Sequence, residues 1–201
     1  MTPDGFRLFP AALDPPAQAD LVAAVLAAAQ NAPFYRPVTP GGQPMSVLMT
    51  NLGPLGWVTD ASGYRYEAVH PDTGKPWPPM PEAVLDLWRR YAGEGAAPPD
   101  ACLVNLYRDG ARMGLHQDRD EADFSQPVLS ISLGDTALFR IGGVSRKEPT
   151  RSLRLASGDV CVLAGPARLA FHGIDRIIPG SSRLIPGGGR INLTLRRARP
   201  A

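Results

Sequence analysis

The sequence has 201 residues, 44% hydrophobic and 20% charged, with a formal net charge of +2. That composition is ordinary for a globular protein and excludes a disordered or fibrous chain. No apolar run approaches the roughly 18 residues of a membrane span, and no basic stretch followed by an apolar one opens the chain, so a cytoplasmic location is expected.

The length fits one domain, or one domain with a subdomain, large enough to bury a core. Gly (21) and Pro (22) are both abundant, which favours many turns and short strands over a helical bundle. The small positive charge permits a polyanionic partner without requiring one. Cys102 and Cys161 are the only cysteines, each in an apolar strand-like run. Two buried free thiols fit a reducing compartment better than a disulfide scaffold.

Residues 1–14 read as an edge strand and a loop. From Pro15 to Gln30, Leu21, Val22, Val25, Leu26 and Ala29 fall on one helical stripe, with Pro15 and Pro16 in the first turn. Residues 32–80 are irregular and aromatic, and carry Trp57, Tyr64, Tyr66 and Trp77 together with Arg36, Arg65 and Lys75. Such a segment is either a poorly packed flank or a functional lid, and the scattered cations suit an anionic ligand. Alternation is visible there only over Ser46–Thr50. Residues 81–91 predict a second helix. Pro81 takes the first helical position, and Val84, Leu87, Trp88 and Tyr91 form the apolar stripe.

From residue 101 the period changes to two. Strands are expected at 101–107, 128–133, 136–141, 152–156, 159–163, 168–172 and 190–196, punctuated by Gly turns. The fold class that follows is mainly β with flanking helices (α+β), a sandwich or jelly roll.

His116 and Asp118 stand two residues apart, so in extended chain they project to one side. A second His would complete the 2-His-1-carboxylate set that binds non-haem Fe(II) and leaves coordination positions open. Of the remaining two, His172 lies in an apolar strand-like run, whereas His70 lies in a polar, Pro-rich region that makes a poor ligand site. His-x-Asp alone is a weak signal, and His172 alone fits a satisfied histidine at a strand end as well as a ligand.

The last strand supplies a second constellation. Arg190, Asn192, Thr194 and Arg196 share one face, and Ile191, Leu193 and Leu195 share the other. A solvated face usually mixes charge signs, and this one holds only cations and neutral groups. Guanidinium groups bind carboxylates bidentately. The two arginines are about 20 Å apart along an extended strand, so they suit opposite ends of a site rather than one carboxylate. Asn105 and Tyr107 share a face upstream. Metal ligands beside a carboxylate-binding strand point to a 2-oxoglutarate-dependent oxygenase.

The motifs in order resemble those of the AlkB family of nucleic-acid dealkylases. The matching runs are Asn105-Leu106-Tyr107, Leu115 to Glu121, Gly158-Asp159-Val160, Phe171 to Ile174 and Arg190 to Arg196. Shorter matches such as Leu55-Gly56-Trp57 and Lys75-Pro76-Trp77-Pro78 lie upstream, and the likeness spans about residues 30–197. The resemblance implies a double-stranded β-helix (jelly roll) with a nucleotide-recognition lid. Residues 1–100 would form an N-terminal extension carrying the helices and the lid, and residues 101–201 the dioxygenase core, in one integrated domain.

The resemblance also implies the site. His116, Asp118 and His172 would hold Fe(II). Asn105, Tyr107, Arg190, Asn192 and Arg196 would hold 2-oxoglutarate, with Arg190 on the distal carboxylate and Arg196 nearer the metal and Asp118. Trp57 and His172 would sandwich the damaged base, Asp120 would meet its amino edge, and Tyr64, Tyr66 and Arg146 would hold flanking phosphates. O2 would be consumed, and the partner would be DNA, with RNA also admitted, acted on by a monomer away from any membrane. Two other readings stand beside this one: an oxygenase with a different substrate, and a non-catalytic metal-binding jelly roll. The Arg190/Arg196 face separates the last from an enzyme, because a structural metal site needs no such face.

Overall fold

The computed structural model describes residues 2–200. Twelve strands and two helices are arranged as two antiparallel sheets and a separate hairpin. Strands β1 (Phe6–Phe9), β2 (Leu48–Leu52), β5 (Ala101–Tyr107), β7 (Val128–Gly134), β10 (Val160–Leu163) and β12 (Arg190–Arg196) make the major sheet, in the order β1-β10-β7-β12-β5-β2. Strands β6 (Met113–His116), β8 (Ala137–Ile141), β9 (Arg151–Leu155) and β11 (His172–Ile177) make the minor sheet, in the order β6-β11-β8-β9. β3 (Gly56–Asp60) and β4 (Gly63–Glu67) pair only with each other. The two edges of the major sheet, β1 and β2, come from the first hundred residues.

Period-two alternation in the major sheet serves two cores. Cys102, Val104 and Leu106 of β5 and Ile191, Leu193 and Leu195 of β12 point outward, into a core closed by α1 (Pro15–Ala28) and α2 (Glu82–Tyr91). Leu21, Val22 and Val25 of α1 and Val84, Leu87 and Trp88 of α2 fill that layer. The other core lies between the sheets, where Met49, Leu103, Phe139, Ile141, Leu155 and Leu163 meet. Both faces of β12 are therefore covered, and all seven of its residues are buried.

The helix ends follow ordinary capping rules. Asp14 caps α1, its carboxylate accepting from Ala17 N at 2.8 Å. Pro81 sits at the N-cap of α2 rather than inside its first turn, because its backbone is extended there (φ −56°, ψ 143°). α1 ends at Ala28, two residues before the Gln30 end of the expected helix.

Three expectations about strands change. β6 is absent from the strands expected from residue 101 onward; it is only four residues long. The β3–β4 hairpin occupies a region expected to be irregular. Residues 168–171 are not strand: a single 3-10 turn (Gly165–Ala167) precedes them, and β11 starts at His172. The side chain of Arg168 turns inward there to bond Gln126 O and Asp118 O, at 2.7 Å each. His172 is thus the buried first residue of a strand, not the last residue of the one expected at 168–172.

Local packing delivers the site residues. His172 pairs directly with His116 across β11 and β6. Gly173 permits that approach, since a Cβ there would stand 2.6 Å from Met113 O. Before β12 the chain turns at Gly189 (φ +95°), where a Cβ would collide with Tyr107 O. The buried carboxylate of Asp135 anchors the preceding loop, accepting from Gly180 N, Ser182 N, Gly189 N and the Ser181 hydroxyl. Arg190 is thereby placed at the sheet's inner face. Cys102 and Cys161 are buried and free.

Candidate active site

His116, Asp118 and His172 form the one cluster of three or more His, Cys, Asp and Glu among the described residues that suits a metal. Their donor atoms lie within 4.8 Å of one another. His172 Nε2 is 3.7 Å from Asp118 Oδ2, and His116 Nε2 is 3.8 Å from Asp118 Oδ1. Each imidazole has its Nδ1 2.9 Å from a backbone carbonyl, Gly114 O for His116 and Ala170 O for His172. A carbonyl only accepts, so Nδ1 carries the proton and Nε2 keeps its lone pair for a metal. Burial, helped by His116 and opposed by Asp118, pulls His172 down to about 4, which leaves the ring neutral at neutral pH.

Asp118 is 7% exposed. Its Oδ1 accepts from Arg196 Nη2 at 2.8 Å, while Oδ2 has no partner. A buried carboxylate oxygen without a partner requires explanation, and a cation supplies one. Burial raises the Asp118 pKa, but Arg196, His172 and His116 outweigh it and leave the carboxyl well below its usual range. The residues therefore fit Fe(II): two imidazole nitrogens and one ionised oxygen on one side, with the pocket open on the other.

The same cavity, of about 660 Å³, reaches the inner face of the major sheet. Arg190 lies there, 1% exposed. Its Nη2 donates to the Ser132 hydroxyl at 3.0 Å, while Nε and Nη1 have no partner. Burial lowers its pKa, opposed by Tyr107, whose ring centroid is 5.2 Å from the guanidinium carbon. Buried guanidinium N–H groups without an acceptor call for one, and a carboxylate supplies it. Asn105 Oδ1 is likewise buried and unpartnered. Asn192 differs from what the resemblance implies. Its amide donates to the Ser130 hydroxyl (2.7 Å) and Ile131 O (3.0 Å) and accepts from Thr194, so it shapes the wall rather than offering a free donor.

Above the metal ligands stands the hairpin. Trp57 is a strand residue of β3, within a segment expected to be irregular, and its ring stacks on Tyr64 at 5.4 Å and 16°. Its indole N–H donates to Asp120 Oδ2 at 2.8 Å. Trp57, Tyr64, Asp120 and Arg146 all line the cavity. Arg146 donates to Leu115 O at 3.0 Å, with its guanidinium 5.7 Å from the Phe171 ring centroid.

Tyr66 departs from the phosphate-holding expectation. Its hydroxyl donates to Glu121, it does not line this cavity, and burial pushes its pKa up. Arg65 and Arg36 are also engaged: Arg65 pairs with Asp60 (2.8 Å) and Glu67 (2.7 Å), and Arg36 donates to Met45 O. His70 is a buried structural residue, 2.8 Å from Pro33 O through Nε2.

Sequence reasoning assigned no role to Glu121 and Arg168. Arg168, buried, donates to Glu121 Oε2 at 2.9 Å and to the backbone carbonyl of Asp118. Glu121 also lies 3.4 Å from Arg196 Nε and accepts from Tyr66. The lid and the metal carboxylate are thus joined through Tyr66, Glu121 and Arg196. The available signal was one charged residue in the otherwise apolar run Ala167-Arg168-Leu169-Ala170.

A double-stranded β-helix with this donor set and this buried arginine defines an Fe(II)- and 2-oxoglutarate-dependent oxygenase. The 2OG-Fe(II) oxygenase superfamily model matches residues 5–196. An alpha-ketoglutarate-dependent dioxygenase AlkB homolog of Caulobacter vibrioides is 72% identical, covering 98% of this chain and 89% of that protein. Alpha-ketoglutarate-dependent dioxygenase AlkB of Escherichia coli is 47% identical, covering 85% and 80%. The solved structure of OsALKBH1 superposes with a TM-score of 0.77 at 32% identity, covering 96% of this chain and 97% of that one. The chain belongs to the AlkB family, and its cofactors are Fe(II), 2-oxoglutarate and O2.

Proposed function

We propose that the chain oxidatively demethylates N-alkylated bases of the 1-methyladenine and 3-methylcytosine type in DNA, with RNA as a second substrate. One observation carries this: the metal ligands, the partly unpartnered guanidinium of Arg190 and the Trp57–Tyr64 stack open into a single cavity. When bound, iron with 2-oxoglutarate and O2 supplies oxidation of the N-methyl group, which leaves as formaldehyde while the oxo-acid becomes succinate and CO2.

The chain's own residues do the rest. His116, Asp118 and His172 hold the metal, and Arg196 fixes Asp118 so that Oδ2 is the oxygen offered. Arg190 takes the distal carboxylate of 2-oxoglutarate through its guanidinium, whose Nη1 has no protein partner, on a wall completed by Asn105, Tyr107 and Asn192. A base inside a duplex cannot reach so recessed a metal, so it arrives flipped or single-stranded. Methylation spoils pairing and lowers that cost. Trp57 stacks on the base, an interaction worth roughly 1–3 kcal/mol and tolerant of base identity. Asp120 orients the indole, and its negative charge favours a cationic methylated base over a neutral one. Tyr64 and Arg146, exposed at the cavity mouth, suit flanking phosphates.

Two more distant relatives bear names in keeping with this substrate class: a DNA N(6)-methyladenine demethylase of Arabidopsis thaliana and a tRNA demethylase of Schizosaccharomyces pombe. The test is a panel of methylated DNA and RNA oligonucleotides incubated with Fe(II) and 2-oxoglutarate and read by mass spectrometry. Loss of the methyl group from 1-methyladenine and 3-methylcytosine is expected. Succinate formation with every oligonucleotide unchanged would leave the oxygenase and remove the substrate.

A further inference from the structure

We infer that the outer face of the minor sheet binds the phosphate backbone of the nucleic acid whose base occupies the cavity, with Arg154 and Arg176 as its principal contacts. The inference rests on the nucleic-acid reading above and extends it to a surface outside the cavity.

The charge of the chain is divided unevenly. Residues 101–201 hold 15 Lys and Arg against 9 Asp and Glu, whereas residues 1–100 hold 6 against 10. Three of those arginines, Arg168, Arg190 and Arg196, are buried. Arg154 and Arg176 are exposed and make no side-chain hydrogen bond or ion pair among the described residues. In the sheet they share one row, since Leu138 of β8 pairs with Arg154 of β9 on one side and with Arg176 of β11 on the other. Directly paired residues point to the same face. Ala137 and Phe139 are buried in the inter-sheet core, so Leu138 and its two arginine partners face outward.

Arg176 faces outward because of a register shift. Ile174 points inward and pairs with Phe139; by strict alternation residue 176 would point inward too. The pairing slips between Ile174 and Arg176, leaving Asp175 as the extra residue, and both 175 and 176 are exposed while Ile177 is buried. A bulge of this kind re-aims a side chain. It turns out a cation that the alternation would otherwise bury.

The acids on this side are already engaged. Asp175 lies 3.4 Å from Arg140, and Glu148 accepts from Ser145 N at 2.8 Å. Continuity with the cavity comes from β8, which runs from the Arg154/Arg176 row to Ile141, the direct partner of His172. The loop that follows carries Arg146 to the cavity mouth. The arginine row is about 10 Å along the sheet from that end, and its two Cα atoms are about 10 Å apart across β8. That separation suits two phosphates of the strand leaving the mouth, each reached by a long guanidinium side chain.

The experiment compares a long methylated DNA strand with a methylated trinucleotide across a series of salt concentrations. It uses the whole enzyme with Fe(II) and 2-oxoglutarate, the double variant Arg154→Ser/Arg176→Ser, and Arg90→Ser on α2 as a control. For the long strand, the variant's KM at low salt should rise about tenfold, and its log–log salt slope should shrink by about two, one for each lost phosphate contact. The trinucleotide should be demethylated with the wild-type kcat and KM, and Arg90→Ser should keep the wild-type slope. An unchanged slope for the long strand overturns the inference, and so does an equal loss on the trinucleotide, which would mark a structural defect. A wild-type enzyme that demethylates neither substrate would instead remove the functional reading, and this inference with it.

Discussion

Strand β12 and the β3–β4 hairpin contribute to one cavity under opposite constraints. β12 is hydrogen-bonded on both sides, by β5 and β7, and all seven of its residues are buried. The hairpin pairs only with itself, and Tyr64 on it is 51% exposed. The strand holds Arg190 and Arg196 where neither neighbour lets them drift. The hairpin is tied to the metal-ligand loop by two contacts, Trp57 to Asp120 and Tyr66 to Glu121. Groups that position the metal and co-substrate sit where packing over-determines them, and groups that select the base sit where few contacts do.

The difference predicts different failures. Changes on the floor should stop oxidation itself, and the largest effect is expected at the metal. His172→Ala should abolish succinate formation with and without a nucleic acid, and should weaken binding of Fe(II) or a Mn(II) substitute in titration calorimetry. Full turnover would contradict the ligand assignment.

The same residue should make the metal-free protein sensitive to acid. Its imidazole titrates near 4 when folded and near 6.5 when unfolded. Between those values the unfolded chain binds the extra proton, so stability falls as the pH drops from about 6.5 to about 4, by roughly 3 kcal/mol from this group. Urea denaturation of the metal-free enzyme at several pH values measures it, and His172→Ala should flatten the dependence.

On the lid, Trp57→Ala should weaken methylated-oligonucleotide binding by roughly 1–3 kcal/mol, while the uncoupled oxidation of 2-oxoglutarate survives. Equal loss of both activities would place Trp57 with the floor. Arg190→Lys keeps the charge and loses the planar fork. Its apparent KM for 2-oxoglutarate should rise about tenfold, equivalent to about 1.4 kcal/mol, and an unchanged value would mean that the fork binds nothing. The smallest effect is expected for Tyr66→Phe, which removes one hydrogen bond to Glu121. A loss of about 1 kcal/mol of stability in thermal or urea unfolding, with KM for 2-oxoglutarate unchanged, would show that the tie holds the lid and not the co-substrate.

The same contrast explains what could be read from the residues alone. β12 and β5 alternate strictly because one face of each meets the helices and the other the cavity, so their polar face was legible in the pattern. The hairpin was not, because Gly56, Gly63 and the aromatics Trp57, Tyr64 and Tyr66 serve a two-stranded ribbon with no long apolar face to alternate. Tyr66 and Asn192 were given ligand roles that their partners, Glu121 and Ser130, already occupy, and a partner distant in sequence leaves no local mark. Arg168 showed only as a lone charge in an apolar run, and its role stayed hidden because its three acceptors lie 42 to 50 residues away.

The central claim is that one cavity couples 2-oxoglutarate oxidation to removal of a base's methyl group. The most direct measurement is of formaldehyde and succinate together, with a 1-methyladenine oligonucleotide, Fe(II) and limiting enzyme. The account predicts equimolar formation of the two, with the ratio of formaldehyde to succinate falling sharply in Trp57→Ala. Succinate produced at the same rate with no formaldehyde, whether or not the oligonucleotide is present, would contradict it.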